Sequence, residues 1–428
     1  MIRKIIVIVL LFASVSFMAQ RSNSSPYSYF GVGEEFNTNT VIQNSMGGIG
    51  VAFNHYKYLN FTNPAAYANL RYTTYGFGLL NNDLTVKTAN TSQNSTSTSI
   101  TYVALAVPIG KKAGFSIGLQ PFSSVGYSLN NAVLNSDGST SEITLYSGNG
   151  GINKIYGSFG IKLFKEFSLG LEADFSFGNV ENSIINQRDN VSLATKYNED
   201  TDIRGGALKI GAQYKKELKN NLVLDLGATV KLEHELNVSG RDYLYSLTFA
   251  NGGSESPRDT LSTSTINGSF NIPIKSTFGA GIGKLDKWYA GVEYESQDAF
   301  TTNGLLANSN DAYKYGKSNR FSLGGYYLPK INSISSYWNR VTYRAGLRFE
   351  NTGLLVDGTG TNTNFTEIKD FGISFGLGLP LKRLSTINAG FEFGKRGTTE
   401  NNLIQENYFN FRLSLSLSET WFVKRKID

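Results

Sequence analysis

Large apolar side chains alternate with tiny or polar ones along most of the chain. The run Phe371-Gly-Ile373-Ser-Phe375-Gly-Leu377-Gly-Leu379 sets apolar residues against Gly and Ser. The run from Phe167 to Phe177 does the same with carboxylates at Glu172 and Asp174, and Val341 to Glu350 alternates with Arg344 and Arg348. Phe409 to Leu417 repeats the pattern near the C-terminus, with Arg412 on the polar side. Successive side chains of a strand point to opposite faces. Each run therefore reads as a strand of about 10–15 residues with one greasy and one polar face. No helical period longer than two turns stands out.

This pattern suits a soluble sandwich or propeller with the apolar face inside, or a transmembrane barrel with that face turned to lipid. The barrel is favoured because the strands are longer than the usual 5–6 residues of soluble sheets. Aromatic pairs at strand ends, Trp288-Tyr289, Tyr326-Tyr327 and Trp421-Phe422, suit an interfacial girdle.

Connections give the strand count. Six short ones carry Lys: Gly110 to Lys112, Phe164 to Phe167, Lys216 to Asn221, Lys284 to Lys287, Lys330 to Asn339 and Pro380 to Ser385. Between them lie longer polar segments near 85–98, 128–150, 180–203, 237–266, 297–318, 352–367 and 395–406. This arrangement predicts an all-β, 14-stranded antiparallel transmembrane barrel over residues 71–428. Outer-membrane barrels have short periplasmic turns and long external loops. Both termini are then expected on the periplasmic side of the outer membrane of a Gram-negative bacterium, with 237–266 as the longest external loop.

Residues 20–70 break the strand pattern with closely spaced turn residues: Ser25-Pro26-Tyr27, Met46-Gly47-Gly48-Ile49-Gly50 and Asn63-Pro64-Ala65. They form either a periplasmic tail or a plug inside the barrel. The plug is favoured, because fourteen strands leave a wide lumen and a free tail would expose Tyr, Phe and Met. Residues 1–19 read as a signal peptide, with basic Arg3-Lys4 and an apolar run of ~13 residues, too short to cross a bilayer as a helix.

Composition narrows the chemistry. The 428 residues include no Cys and two His, with 17% charged and 13% aromatic residues. Zero Cys removes disulfide scaffolds and thiolate metal sites. His55 and His234 do not sit beside a nucleophile at a recognisable site, so no enzyme, cofactor or metal is expected. A net charge of +6, part of it in the signal peptide, is too weak and dispersed for nucleic acid. Strand parity places Glu172, Asp174, Lys209, Asp225, Lys231, Glu233, Glu235, Glu293, Glu295, Arg344, Arg348, Glu350, Glu392 and Arg412 on the lumen face. Such charges mostly pair with each other and with a plug, because unpaired buried charge is expensive.

The signal peptide, the N-terminal segment with Asn63-Pro64-Ala65 before the first strand, and fourteen strands resemble the FadL-type outer-membrane transporters of hydrophobic compounds. The opening Ser25-Pro26-Tyr27-Ser28-Tyr29-Phe30-Gly31-Val32-Gly33 resembles a subgroup from bacteria with type 9 secretion. The resemblance implies a hatch (Gly47, Gly48, Gly50, Asn63, Pro64, Ala65), an external apolar pocket, and a kink in the third strand that opens a side exit into the membrane. Gln120-Pro121-Phe122-Ser123 lies at the matching place, and Pro121 lacks an N–H and so removes a ladder bond. Pro121 either marks a lateral gate or only shapes an external loop.

Two functions stay open. One is gated uptake of hydrophobic small molecules, fatty acid or aromatic in type, with lateral exit at the third strand. The other is a non-catalytic accessory subunit that binds and seals a large type 9 secretion translocon barrel.

Overall fold

The computed structural model describes residues 24–250, 253–303, 312–381 and 384–419. The expected signal peptide and Trp421-Phe422 lie outside the described residues. The chain forms a closed antiparallel barrel of fourteen staves. A two-residue strand, β1 (Glu34–Glu35), precedes them in the N-terminal segment. The first six staves are β2 (Thr73–Lys87), β3 (Ser92–Ile109), β4 (Ala113–Leu134), β5 (Thr140–Lys162), β6 (Phe167–Arg188) and β7 (Ala194–Glu217). Four staves are broken: β8 with β9 (Val223–Lys231, His234–Phe249), β10 with β11 (Glu255–Ile272, Lys275–Lys284), β12 with β13 (Trp288–Gln297, Thr301–Asn303), and β14 with β15 (Tyr313–Tyr315, Ser318–Tyr327). The last four are β16 (Thr342–Val356), β17 (Thr366–Pro380), β18 (Thr386–Gly397) and β19 (Gln405–Glu419). Pairing of β19 with β2, from Gln405↔Lys87 to Glu419↔Thr73, closes the ring. Closure pairs the strand edges around most of the ring, because unpaired backbone groups in lipid cost several kcal/mol each.

The two faces of the strands decide what solvent the wall meets. On β4, Phe115, Ile117 and Leu119 are 39, 45 and 44% exposed, whereas Ser116 between them is 0% exposed. A water-soluble fold would reverse that order. The apolar face points out to lipid and the small, polar face points into the lumen.

Three expectations are corrected. The polar segments between strands are mostly not loops: β4 to β7 run 22–24 residues, and the tip between β4 and β5 is only residues 135–139. The 237–266 segment is likewise mostly paired strand, with β9 running to Phe249 and β10 starting at Glu255. Loss of apolar residues marks where a strand leaves lipid, while backbone pairing continues beyond it. Glu233 and Glu235 are exposed and not lumenal, while Leu236 is fully buried. The break at Leu232–Glu233 shifts parity by one residue, which moves every later side chain of that stave to the other face. Among the aromatic pairs, Tyr327 is 57% exposed on the outside, but Tyr289 and Tyr326 face inward and pack near Phe53.

Residues 24–72 pack against the inward face of the staves. Met46, Val51 and Ala65 are fully buried there and Tyr67 is 1% exposed. One helical turn, α1 (Val41–Asn44), starts on a capping box of Thr40 and Gln43. The inward face meets this segment with glycines. A Cβ on Gly114, Gly170, Gly211, Gly227, Gly324 or Gly346 would overlap Tyr67, Ala65, Asn63, Val51, Met46 or Gly47 respectively. The tiny residues of the period-two pattern are therefore spaces that backbone fills.

Candidate functional site

The segment is tied to the wall by its own motifs. The backbone N–H groups of Gly50 and Val51 both donate to Oε2 of Glu293, each at 2.7 Å. Gly47, at φ +71°, donates its N–H to Ser374 Oγ at 2.9 Å. Gly48 follows at φ +89°, so the Gly47-Gly48 turn uses a conformation that L side chains avoid. Asn63 Oδ1 accepts from the Ala65 N–H, capping the 3-10 turn Pro64–Asn69. Its Nδ2 donates to the Val51 carbonyl at 2.8 Å and to the Ala212 carbonyl of β7 at 3.0 Å. The Asn63-Pro64-Ala65 triplet thus fastens the segment both to itself and to the barrel.

The lumenal charges form networks. Glu295 receives Arg320 Nη2 at 3.0 Å, and Arg320 also bonds Asn37 of the segment. Arg348 contacts Glu350, Asp370 at 3.3 Å, Glu392 at 3.2 Å and Tyr408 at 2.7 Å. Arg412 holds the other oxygen of Glu392 at 2.5 Å. Arg396 links Asp370 and Glu406 to Glu34 of β1, the last at 2.5 Å. Arg344 differs: it is 4% exposed, its guanidinium lies 6.0 Å from the Tyr58 ring centroid, and among the described residues it makes no ion pair. At the short-turn end, His55 Nε2 lies 3.5 Å from Asp286, with the ring stacked on Tyr56. Burial pushes the His55 imidazole down to about 4.

The wall has an open seam at the third stave. β3 pairs with β2 over most of its length, from Ser92↔Lys87 to Ala106↔Thr74. It pairs with β4 only from Val103↔Leu119 to Ile109↔Ala113. β4 continues to Leu134, paired with β5, and its register slips between Pro121 and Ser123. Beyond Leu119, then, the edges of β3 and β4 carry no mutual ladder. Since β5 occupies one edge of β4, β1 takes the edge that β3 has left: Glu34↔Ser124 and Glu35↔Ser123. Phe36 N–H donates to the Phe122 carbonyl at 2.9 Å, and Ser123 Oγ donates to the Val32 carbonyl at 2.7 Å. Gln120, Phe122 and Ser123 are buried at 3, 8 and 2% exposure.

Two cavities flank this seam. A lumenal cavity of about 270 Å³ is lined by Phe122, Lys154, Phe270, Phe300 and residues 34–39. A smaller one of about 90 Å³ touches Thr101 of β3 and Pro121 of β4, and residues 34–39 line it too. The stretch 34–39 is thus common wall to the cavity and the seam. Sequence reasoning did not single out Arg396, Asp370, Arg320 or Glu34.

A family model described as BamG matches residues 1–428, the whole sequence. The chain belongs to the BamG family. Its fold recurs in solved FadL-type structures at low identity. This BamG-family barrel is similar to the "CymD monoaromatic hydrocarbon channel" at 13% identity and TM-score 0.56, covering 91% of this chain and 99% of that one. It is similar to the Ralstonia pickettii toluene transporter TbuX at 12% identity and TM-score 0.59, covering 90% and 99%. A Pseudomonas aeruginosa FadL homologue gives 12% and 0.59, covering 88% and 97%. No curated protein matches the chain significantly. These likenesses establish a FadL-like barrel of the outer-membrane type.

Proposed function

We propose that this BamG-family barrel is a gated outer-membrane channel for small hydrophobic molecules, with lateral exit through the β3–β4 seam. The observation that carries the reading is the end of the β3–β4 ladder at Val103↔Leu119, far below the tips of both strands. A molecule entering the lumenal cavity from the long-hairpin side meets residues 34–39, and behind them the gap beside Pro121. Residues 24–72 act as the hatch, and the 34–39 stretch acts as the gate. Arg396 and Arg320 hold the gate to the wall through Glu34 and Asn37. The similar structures named as a monoaromatic hydrocarbon channel and a toluene transporter agree with an apolar cargo of this size. The test is uptake of labelled toluene by cells or proteoliposomes carrying the barrel. Uptake above an empty-membrane control is expected. A folded barrel with no such uptake ends the reading.

A second reading is favoured by one feature. The turn between β15 and β16 exposes Ile334 completely and Trp338 to 61%. Apolar side chains on the short-turn face suit a protein partner, which for an accessory subunit is a large secretion translocon barrel. Co-purification from native membranes in mild detergent at one-to-one stoichiometry, lost in an I334S/W338S variant, would favour this reading.

A further inference from the structure

The lumenal cavity is not evenly neutral. Seven basic side chains line it, and six form ion pairs across the wall, among them Lys209–Glu172 at 2.7 Å, Lys231–Asp174 at 3.2 Å and Arg320–Glu295 at 3.0 Å. The seven acidic side chains at the same wall all lie in pairs with those six. Lys154 is the seventh base. Its ammonium shares a charge cluster with Asp174, Glu172, Lys231 and Lys209, but among the described residues it makes no direct ion pair or hydrogen bond, although the residue is only 4% exposed. It sits on β5 opposite Gln120, one position from Pro121 of β4. An ammonium that reaches into a narrow cavity without a direct partner is poorly compensated, and an anion that enters beside it supplies the missing ion pair.

From this we infer that Lys154 anchors a compact aromatic monoanion, an arylcarboxylate, in the lumenal cavity. The inference rests on the channel reading and names its cargo. Three observations on the same wall set the chemistry. The unpaired cation selects a single negative charge over a neutral hydrocarbon. The rings of Phe122, Phe270 and Phe300 provide an apolar, edge-and-face surface for an aromatic body. The volume, about 270 Å³, sets the size. A cavity of roughly 150 Å³ takes benzene, so this one takes a ring with a short acidic arm and not an extended acyl chain. Displacement of the gate stretch 34–39, which lines this cavity, would then release the anion towards the seam beside Pro121.

Calorimetric titration of the purified full-length barrel in detergent tests this, with 3-phenylpropanoate and 3-phenylpropan-1-ol as matched probes. The wild type is expected to bind the acid at least tenfold more tightly than the alcohol. K154M should lose that preference while keeping the alcohol affinity, and K154R should retain it. Equal binding of acid and alcohol by the wild type, or a K154M barrel that still prefers the acid, overturns the inference and leaves the channel reading standing. Binding of neither probe overturns both. If K154M does not show the heat-modifiable migration of a folded barrel, the wild-type ratio alone decides.

Discussion

Gly50 and Glu293 are 243 positions apart in sequence and joined by a 2.7 Å hydrogen bond from the Gly50 N–H to the Glu293 carboxylate. The same oxygen accepts the Val51 N–H, so one buried side chain of β12 fixes the turn of the N-terminal segment. Two amides aimed at one carboxylate make a small anion nest, and hydrogen bonds to a charged acceptor are worth about 1.5–3 kcal/mol each.

Glu293→Ala should therefore loosen the segment without unfolding the barrel. The expected result is heat-modifiable migration as in the wild type, with cleavage of residues 24–72 by added protease at least tenfold faster. Unchanged cleavage would show that the segment's other contacts with the wall hold it without this carboxylate.

Those glycine contacts make a separate prediction. A Cβ on Gly346 would overlap the backbone of Gly47, which cannot swing aside as a side chain does. Gly346→Ala should weaken segment docking by about 1–3 kcal/mol, the usual scale of overpacking. Gly157→Ala is the control, since the nearest atom to its added Cβ is 3.9 Å away in the Phe115 ring. Protease sensitivity should rise in the first variant and stay level in the second.

These two cases show what the sequence made legible and what it hid. The period of two revealed the strands and the lumenal face, and it set Glu392 beside Arg412 on neighbouring staves. Asp370 shares parity with Gly372 on β17, and Arg396 shares parity with Glu392 on β18, so both were within reach of the same rule. Parity failed after Leu232, where the stave breaks and no residue signals the slip. The pairing of Glu34 with Arg396, and of β1 with β4, was not legible. The segment has no period, and its partners lie up to 381 positions away. Polar strand ends were mistaken for loops because the alternation that marks a lipid-facing strand ends where lipid ends, although the hydrogen-bonded ladder does not.

Acid should loosen the short-turn end of the segment. His55 is held near 4 by burial, with Lys57 and Lys215 adding to the effect and Asp286 opposing it. Asp286 is kept below its ordinary range, chiefly by its hydrogen bond to His55, and stays ionised throughout the window. A released His55 titrates near 6.5. Between about pH 6.5 and 4 the released form therefore binds more protons than the docked form, and docking weakens as pH falls. The loss approaches about 3 kcal/mol at the low end, from roughly 1.4 kcal/mol per unit of difference. Protease cleavage near Lys57, measured at pH 7, 6 and 5 with an acid-tolerant protease, should rise on acidification. His55→Gln should flatten that dependence.

The gate can be locked chemically, because the chain has no Cys. Glu35 and Ser123 are directly opposed between β1 and β4, and Glu34 and Ser124 are the next pair. Opposed residues of an antiparallel pair have Cα atoms about 4.5–5.5 Å apart, within reach of a disulfide. Of the two, Glu35→Cys with Ser123→Cys is preferred, since it leaves the Glu34–Arg396 pair in place. If residues 34–39 must leave the β4 edge to open the seam, the oxidised double variant should carry toluene at the background rate, and dithiothreitol should restore uptake to near the wild-type level. Arg396→Ala should act in the opposite sense, because it removes the guanidinium that holds Glu34 and leaves the gate strand attached only by its short ladder and neighbouring hydrogen bonds. An oxidised variant that transports as fast as the reduced one would show that cargo does not pass behind β1, and the exit would then have to be sought elsewhere in the wall.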